Sequence, residues 1–140
     1  MKALLDTNVI VDVLQHREPW CEDGQKIFYA VATRQVAGCI TAKEAADIYF
    51  FSRKQFTGQE NVDAKARQIM TKIYSLFELI DTLAVDCKSA IAIENNDYED
   101  AIMIESAARA GLDCIVTRNT EHFQGSSIPV YSPAEFVARL

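Results

Sequence analysis

The stretch KALLDTNVIVDVL, residues 2–14, decides the fold of this chain. Its first part, Lys2–Leu5, is a short apolar run, and Asp6 ends it. The apolar residues that follow recur at the spacing of one helix face: Val9, Ile10, Val13 and Leu14. The pattern therefore predicts a buried strand, a tight turn at Asp6 and an amphipathic helix.

Short apolar strands and amphipathic helices alternate along the rest of the chain. Further strands are predicted at 36–40, 77–80, 114–117 and 130–131. Helices are predicted from 19, from 41 to about 54, from 62, at 86–94, at about 99–110 and from 133. Pro19 is expected to be the first residue of the second helix. The sequence SPAE at 132–135 predicts a capping box that opens the last helix.

Strands that are short and nearly all apolar, and that alternate with helices, indicate a parallel sheet covered on both faces. We therefore predict an α/β fold, a Rossmann-like three-layer sandwich around a central, mostly parallel sheet of four to five strands. The 140 residues match the size of one ordinary domain, so residues 1–140 are expected to form a single domain. In such sheets ligands bind outside the carboxyl ends of the strands, so side chains directly after each strand are the first candidates for function.

The composition argues against a membrane protein. The longest uninterrupted apolar run, 27–32, has six residues, whereas roughly 20 are needed to cross a bilayer. Asp6 interrupts the N-terminal apolar stretch before the apolar core of a signal peptide, about 7 to 15 residues, can form. The chain is therefore expected in the cytoplasm, without a membrane partner.

The cysteines argue against a zinc-binding or disulfide-bonded protein, and the net charge argues against a protein with a broad basic surface. The four cysteines are scattered, with no CxxC pair and no histidine at zinc-like spacing, which argues against a zinc site and against disulfides. The net charge of −6 argues against binding nucleic acid through a broad basic face. It does not exclude a nuclease, because cations held by converging acids reverse the local field that a polyanionic substrate meets.

Polar side chains cluster at three positions where predicted strands end. Asp6-Thr7-Asn8 follows the first strand, Thr117-Arg118-Asn119 follows the fourth, and the helix after the second strand carries two acids. One such residue alone is commonly a helix cap. Because the carboxyl ends of parallel strands share one edge of the sheet, the three clusters together predict one pocket.

Five further acids are candidates for this pocket. Glu44 and Asp47 lie three residues apart and so share one helix face, and Asp47 is flanked by apolar residues that turn it toward the core. Asp97, Glu99 and Asp100 begin a later helix, where acid-rich capping is the simplest explanation. Among these three, Asp100 is in the best register, and Asp97 lies one turn earlier.

Acids that are held close together repel one another unless a cation neutralises them, and this repulsion raises their pKa values. Oxygen ligands from Asp, Glu and Asn suit Mg²⁺ or Mn²⁺. Such ions activate water and stabilise the leaving oxygen in phosphodiester cleavage. The residues therefore predict a metal-dependent hydrolase.

Four separated motifs resemble, in the right order, those of the PIN domain, the fold of VapC-type toxin ribonucleases. They are LLDTN at 4–8, ITAKEAADIYFFSRK at 40–54, DYEDAIMIESAARAG at 97–111 and IVTRNTEHF at 115–123. The resemblance spans essentially the whole chain, and its specificity comes from the combination of motifs. It implies a PIN-like domain and a Mg²⁺- or Mn²⁺-dependent endoribonuclease that cleaves RNA phosphodiester bonds.

The resemblance also implies roles for individual residues. Asp6 and Asp100 match the two most regular metal-binding acids of the family, and Asn8 supports them from beside Asp6. Asn119 stands where some members have Asp, so the site is expected to hold one tight metal rather than two.

The third acid follows from the second motif. Matching Thr41 to the small residue that opens this motif puts Asp47 at the acidic position, where the family more often has Glu. Asp47 is therefore predicted as the third metal ligand, with Glu44 as the alternative. The predicted catalytic set is Asp6, Asp47, Asp100 and Asn119.

Three residues of the fourth motif have open roles. Thr117 is expected to hydrogen-bond an acid or a metal-bound water. Arg118 either contacts the scissile phosphate or pairs with surface carboxylates, and the second reading is slightly favoured. His122 is expected to pack a loop rather than to act as a catalytic imidazole.

The resemblance further implies the toxin of a type II toxin–antitoxin pair, a homodimer that is neutralised by a small antitoxin protein. The basic residues that offer RNA contacts lie on predicted helices where a solvated face is the default: Arg53, Lys54, Lys65, Arg67 and Lys72. Two alternatives stay open. One is a catalytically silent PIN-like module that binds RNA or a protein. The other, a phosphatase of the haloacid dehalogenase type, is disfavoured because Asn8 replaces that family's second Asp.

Overall fold

A five-stranded parallel sheet forms the centre of the computed structural model, which describes residues 1–140. The strands are β1 (Lys2–Leu5), β2 (Ala37–Thr41), β3 (Glu78–Ile80), β4 (Cys114–Val116) and β5 (Val130–Tyr131). They pair in the order β3-β2-β1-β4-β5, and every pair is parallel. The predicted α/β fold with a central sheet is therefore confirmed, and the opening stretch supplies its middle strand.

Seven helices and one 3-10 turn connect or follow the strands. The helices are α1 (Thr7–Leu14), α2 (Cys21–Ala32), α3 (Ala42–Gln55), α4 (Val62–Leu76), α5 (Ala84–Ala90), α6 (Tyr98–Arg109) and α7 (Pro133–Val137). The 3-10 turn, Thr120–Phe123, was not predicted. None of the helices is long and apolar enough to cross a membrane.

Two predicted helix bounds are wrong. The second helix does not begin at Pro19, because residues 18–20 form a turn that closes when the Cys21 N–H donates to the Arg17 carbonyl at 2.8 Å. The fifth helix ends at Ala90 rather than Glu94, and the residues after it form turns. The predicted capping box at Ser132 is present, and Thr41 forms a second one with Glu44; the two boxes fix the first turns of α7 and α3.

The two faces of the sheet carry separate apolar layers, as the alternation of side chains along a strand requires. Ala3 and Leu5 of β1 point into the larger cluster, which receives side chains from α1, α2, α3, α4 and α7. Leu4 points to the opposite face, where α6 and the 3-10 turn cover it. The result is the predicted three-layer sandwich.

Gly38 marks the closest approach between the sheet and the larger layer. A Cβ atom at this position would lie 2.8 Å from the Phe77 ring and 2.8 Å from Val31 Cγ2. Gly38 sits in β2 opposite Ala3, so no loop can absorb a displacement there. The packing therefore depends on the missing side chain.

Gly38→Ala is expected to destabilise the protein by about 1 to 3 kcal/mol, because the added methyl group overpacks the layer between β2 and α2. Urea unfolding followed by circular dichroism measures the effect. Adding Val31→Ala should recover part of the loss, since it removes one of the two clashing groups. An unchanged urea midpoint for Gly38→Ala would contradict this account of the packing.

Candidate active site

The order of strands reverses at β1, which pairs with β2 on one side and with β4 on the other. In parallel sheets this reversal opens a crevice at the carboxyl ends of the two strands concerned. Asp6 directly follows β1 and Thr117 directly follows β4. The two residues meet there, since the Thr117 hydroxyl donates to Asp6 Oδ2 at 2.7 Å.

The local backbone aims the Asp6 carboxylate into this crevice. Asp6 occupies the N-cap position of α1, but its side chain makes no capping hydrogen bond. The residue is only 7% exposed, and Thr117 Oγ1 is one of its few polar partners. The carboxylate is therefore available to a ligand in the crevice instead of being used by the helix.

Asn8 and Asn119 surround the Thr117 hydroxyl. The Asn119 backbone N–H donates to Thr117 Oγ1 at 3.0 Å, and the Asn8 side-chain amide donates to it at 3.5 Å. The Arg118 backbone N–H donates in turn to Asn8 Oδ1 at 3.4 Å. These bonds join the ends of β1 and β4, and they bring together the predicted polar clusters that follow the first and the fourth strand.

Glu44 is the acid of α3 that lies beside Asp6. It is fully buried, with 0% exposure, and its Oε2 accepts from the Thr41 N–H at 2.7 Å as part of the capping box. Its Oε1 accepts from the Thr7 hydroxyl at 3.4 Å. Burial, and then the charge of Asp6, raise the pKa of Glu44 well above its usual range.

Asp47 lies on the same helix but has a different partner. Its Oδ2 lies 2.7 Å from Lys43 Nζ, and the same ammonium contacts Glu99 at 3.2 Å. Asp47 lines the cleft in front of Asp6, whereas Glu44 lies beneath the cleft surface. Asp47 as third ligand stays a prediction, and the contacts give Glu44 the closer electrostatic relation to Asp6.

Asp97, Asp100 and His122 form the opposite side of the crevice. Asp97 caps α6 by accepting from the Asp100 N–H at 3.2 Å. His122 Nδ1 lies 3.3 Å from Asp100 Oδ2, and one ligand atom from each of the three residues lies within 4.8 Å of the others. His122 was expected only to pack a loop, and its contact with Asp100 depends on the 3-10 turn, which was not predicted.

Two acids of the crevice, Asp6 and Asp100, ionise less readily than ordinary carboxyl groups. Burial, followed by the charges of Asp6 and Asp97, raises the pKa of Asp100 to about 7. Burial also raises the pKa of Asp6, and the hydrogen bond from Thr117 only partly offsets it. Carboxylates that repel one another in this way bind a cation favourably, since the ion removes the repulsion.

The donor set fits a divalent metal ion. Asp6 and Asp100 line one crevice that also contains amide and hydroxyl oxygens, and Glu44 lies beneath its surface, where the charge of Asp6 acts on it. Oxygen-rich sites of this kind suit Mg²⁺ and Mn²⁺, and an imidazole such as that of His122 is better matched to Mn²⁺.

Arg118 forms an ion pair with Asp12, a buried acid that was not predicted as a site residue. Its Nε lies 2.7 Å from Oδ2 of Asp12, which is 1% exposed, and its guanidinium lies 4.1 Å from the centre of the Trp20 ring. Arg17 lies 3.9 Å from the same carboxylate. The signal was visible in the sequence, since Asp12 interrupts the apolar run VIVDVL at 9–14.

The cleft in front of these groups has a volume of about 550 Å³. The predicted site residues that line it are Asp6, Asn8, Asp47, Asp97, Asp100, Arg118 and Asn119. Glu44 and Thr117 support it from beneath, both at 0% exposure. Three residues that were not predicted as site residues also line the cleft: Arg17, Phe50 and Phe51.

A family model described as "PIN domain" matches residues 2–121. No curated protein gives a significant match. Solved structures share the fold at low identity. The chain of a structure described as FitAB bound to an IR36 DNA fragment gives a TM-score of 0.72 at 18% identity, with 94% of both chains covered.

Two further solved structures share the fold at lower identity. VapBC-1 from nontypeable Haemophilus influenzae gives a TM-score of 0.65 at 15% identity, covering 96% of this chain and 99% of that one. VapC20 of Mycobacterium tuberculosis, described as a Sarcin-Ricin loop cleaving toxin, gives 0.59 at 8% identity, covering 81% and 86%. At these identities the likeness shows a shared fold.

Asp100→Asn is expected to stabilise the metal-free protein at pH 8 by roughly 2 to 4 kcal/mol, but to have little effect at pH 4. The folded-state pKa of Asp100 lies near 7 and the ordinary value is 3.8. The folded protein therefore keeps a proton that the unfolded chain releases, and stability falls as the pH rises through this window. Thermal melting in EDTA across this range measures the difference.

Glu22→Gln is the matched control for this titration. The hydrogen bond from Lys26 lowers the pKa of Glu22, so this exposed variant should show a small change of the opposite sign. If Asp100→Asn tracks the parent protein at every pH, the repulsion among the crevice acids is weaker than their burial implies.

Asp12→Ala is expected to destabilise the protein by about 3 kcal/mol, because it leaves the partly buried Arg118 without its counter-charge. Chemical denaturation measures the loss. A double variant, Asp12→Leu with Arg118→Met, should recover most of it, since no unpaired charge stays behind. Equal stability of the single variant and the parent would show that water solvates the Arg118 guanidinium well enough without Asp12.

Proposed function

The chain belongs to the PIN domain family, and from that premise we propose that it is a metal-dependent endoribonuclease. One observation carries the proposal: Asp6, Glu44 and Asp100 come from three separate segments near the switch point of the sheet, and the charge of Asp6 raises the pKa of the other two. A stable protein without a ligand gains nothing from such an arrangement, because each buried carboxylate costs free energy. A bound cation would offset this cost, because it neutralises the charge of the acids.

The residues that would hold the ion are Asp6 and Asp100, with Glu44 or Asp47 as the third acid. Asp97 and His122 offer further ligand atoms on the Asp100 side. A bound Mg²⁺ or Mn²⁺ supplies an activated water and stabilises charge on the phosphate oxygens. The identity of the ion is part of the proposal.

The remaining residues of the crevice orient these acids and water. The Thr117 hydroxyl donates to Asp6, which leaves the second Asp6 oxygen for the ion. Asn8 and Asn119 hold the Thr117 hydroxyl in place and lie in the same cleft, where their side-chain amides can hydrogen-bond water or a phosphate oxygen. Because Asn119 carries no charge, the site fits one tightly held metal.

The substrate and partners follow from the resemblance to toxins. VapC20 is described as a toxin that cleaves the Sarcin-Ricin loop, and FitAB and VapBC-1 are complexes. By analogy we propose RNA as the substrate of this chain, a small antitoxin protein as its partner, a homodimer as its assembly and the cytoplasm as its location. Membership of the PIN family leaves no observation in favour of the phosphatase alternative.

A catalytically silent module is the second candidate, because Lys43 already neutralises Asp47 and Asn119 lacks a charge. Calorimetry with Mn²⁺ separates the two. An enzyme site binds the ion, and Asp6→Asn loses that binding, whereas a decayed site does not bind it in either protein.

In a cleavage assay on a mixed RNA pool, the protein should cut RNA with Mn²⁺ or Mg²⁺ and should be inactive in EDTA. Asp6→Asn should lower the rate at least 100-fold while circular dichroism stays unchanged and melting stays equal or rises, because the substitution removes a buried charge. A well-folded and fully active Asp6→Asn protein would contradict the proposal.

The third acid is decided by a matched pair of variants on α3. Glu44→Gln should weaken Mn²⁺ binding and cleavage more than Asp47→Asn does, because Glu44 is coupled to Asp6 and Asp47 is coupled to Lys43. Calorimetry and initial cleavage rates measure both effects. The reverse order of the two variants would restore Asp47 as the third ligand.

A further inference from the structure

Part of the cleft lining has a different chemistry from the acids. Four side chains form it: Arg17, Phe50, Phe51 and Arg118. We call this set the aromatic–arginine wall. The acids and the wall share one continuous cleft, so any polymer bound across the acids meets the wall as well.

We propose that the aromatic–arginine wall is a subsite for single-stranded RNA, where one nucleobase stacks on Phe50 and a neighbouring phosphate contacts the two arginines. The inference rests on the proposed function, since it names how the same cleft holds its substrate. It adds the residues that hold the strand: an aromatic ring for one base and two guanidinium groups for one phosphate.

Phe50 has the exposure and the support that a stacking platform needs. It is 60% exposed on the surface of α3. The Phe51 ring braces it edge-on, with ring centres 5.7 Å apart and planes at 75°. A large exposed apolar ring gains free energy from a planar partner, and bases of single strands offer one because they are not stacked in a duplex.

The two arginines are fixed in place with unused donors. Asp12 and the Trp20 ring hold the Arg118 guanidinium, and neither Nη atom of Arg118 makes a hydrogen bond within the chain. Arg17 Nε donates to Gln15 at 3.0 Å, and its guanidinium lies 5.7 Å from the Phe51 ring. Planar, pre-oriented guanidinium groups with free N–H donors suit phosphate oxygens.

The spacing along α3 places the wall within reach of the same RNA strand. Phe51 follows Glu44 by seven residues, which corresponds to roughly 10 Å along a helix. Asp47 and Phe50, three residues apart, line the cleft between these points. A strand whose phosphate reaches the acids therefore passes Phe50 within a nucleotide or two.

Charge favours a nucleic acid over a protein partner as the occupant. The chain carries a net charge of −6, so a polyanion is repelled by most of its surface. The aromatic–arginine wall carries a local positive charge instead. Arg17 and Arg118 together carry two positive charges, and the buried Asp12 beside them carries only one negative charge. The local excess of positive charge matches a phosphate next to an exposed ring.

The test measures RNA binding in a cleavage-deficient Asp100→Asn background, with a short fluorescein-labelled single-stranded RNA and Mg²⁺, by fluorescence anisotropy. Adding Phe50→Ala should weaken binding about fivefold or more, because a base–aromatic stack is worth about 1 to 3 kcal/mol. Phe50→Trp should retain the affinity. Tyr29→Ala is the matched control, since Tyr29 is 70% exposed on α2 and lines another cleft.

The salt dependence separates the two kinds of contact. Arg17→Gln should lower the affinity and reduce the slope of log K against log salt by about 0.7, the value for one phosphate contact on a single strand. Phe50→Ala should lower the affinity without changing the slope. Arg34→Gln, an exposed arginine outside the cleft, is the control and should change neither quantity.

Two outcomes would overturn the subsite. One is equal RNA affinity of Phe50→Ala and its parent, which would leave the wall to a protein partner. The other is an equal loss of affinity for duplex RNA and for single-stranded RNA. The proposed enzyme is tested separately: if the wild type cleaves RNA but Phe50→Ala binds normally, only the subsite is wrong. If no RNA is cleaved but Phe50→Ala binds weakly, only the enzymatic proposal is wrong.

Discussion

The burial of three carboxylates at one edge of the sheet sets the strongest energetic demand on this fold. Asp6, Glu44 and Asp100 lie near the point where the strand order reverses. Burial raises the pKa of each, and the charge of Asp6 raises the pKa of Glu44 and of Asp100 further. Such groups would disrupt an ordinary core. They are tolerated because the surrounding elements hold them rigidly, and because a divalent cation converts their repulsion into affinity.

Helix caps and short hydrogen bonds hold these acids in place. The capping box of α3 holds Glu44 against the Thr41 backbone, and Thr117 ties the end of β4 to Asp6 after β1. The Asp97 cap does the same for the first turn of α6, which carries Asp100. Each acid is therefore positioned by the start of a helix, and the parallel sheet brings those starts to one edge.

The cleft combines this acidic centre with a cationic and aromatic wall on the side of α3. Lys43 neutralises Asp47 between the two regions, so negative charge is confined to the crevice itself. The wall depends on the buried Asp12, which holds Arg118 in place. A protein with an overall negative charge can in this way present a local surface that suits a phosphate chain.

The strand–Asp–helix pattern at residues 2–14, the parallel sheet and the placing of Asp6, Thr117 and the acids at one edge could be predicted, because they follow from local periodicity and from the shared edge of parallel strands. Which of these side chains contact one another could not be predicted. The choice between Glu44 and Asp47 as the neighbour of Asp6 depends on which way α3 rotates against β1, and helical spacing alone does not fix that rotation. His122 and Arg118 were undecided for the same reason: their surroundings come from segments far away in the chain. Local pattern specifies elements, whereas burial and partners arise only when distant elements pack together.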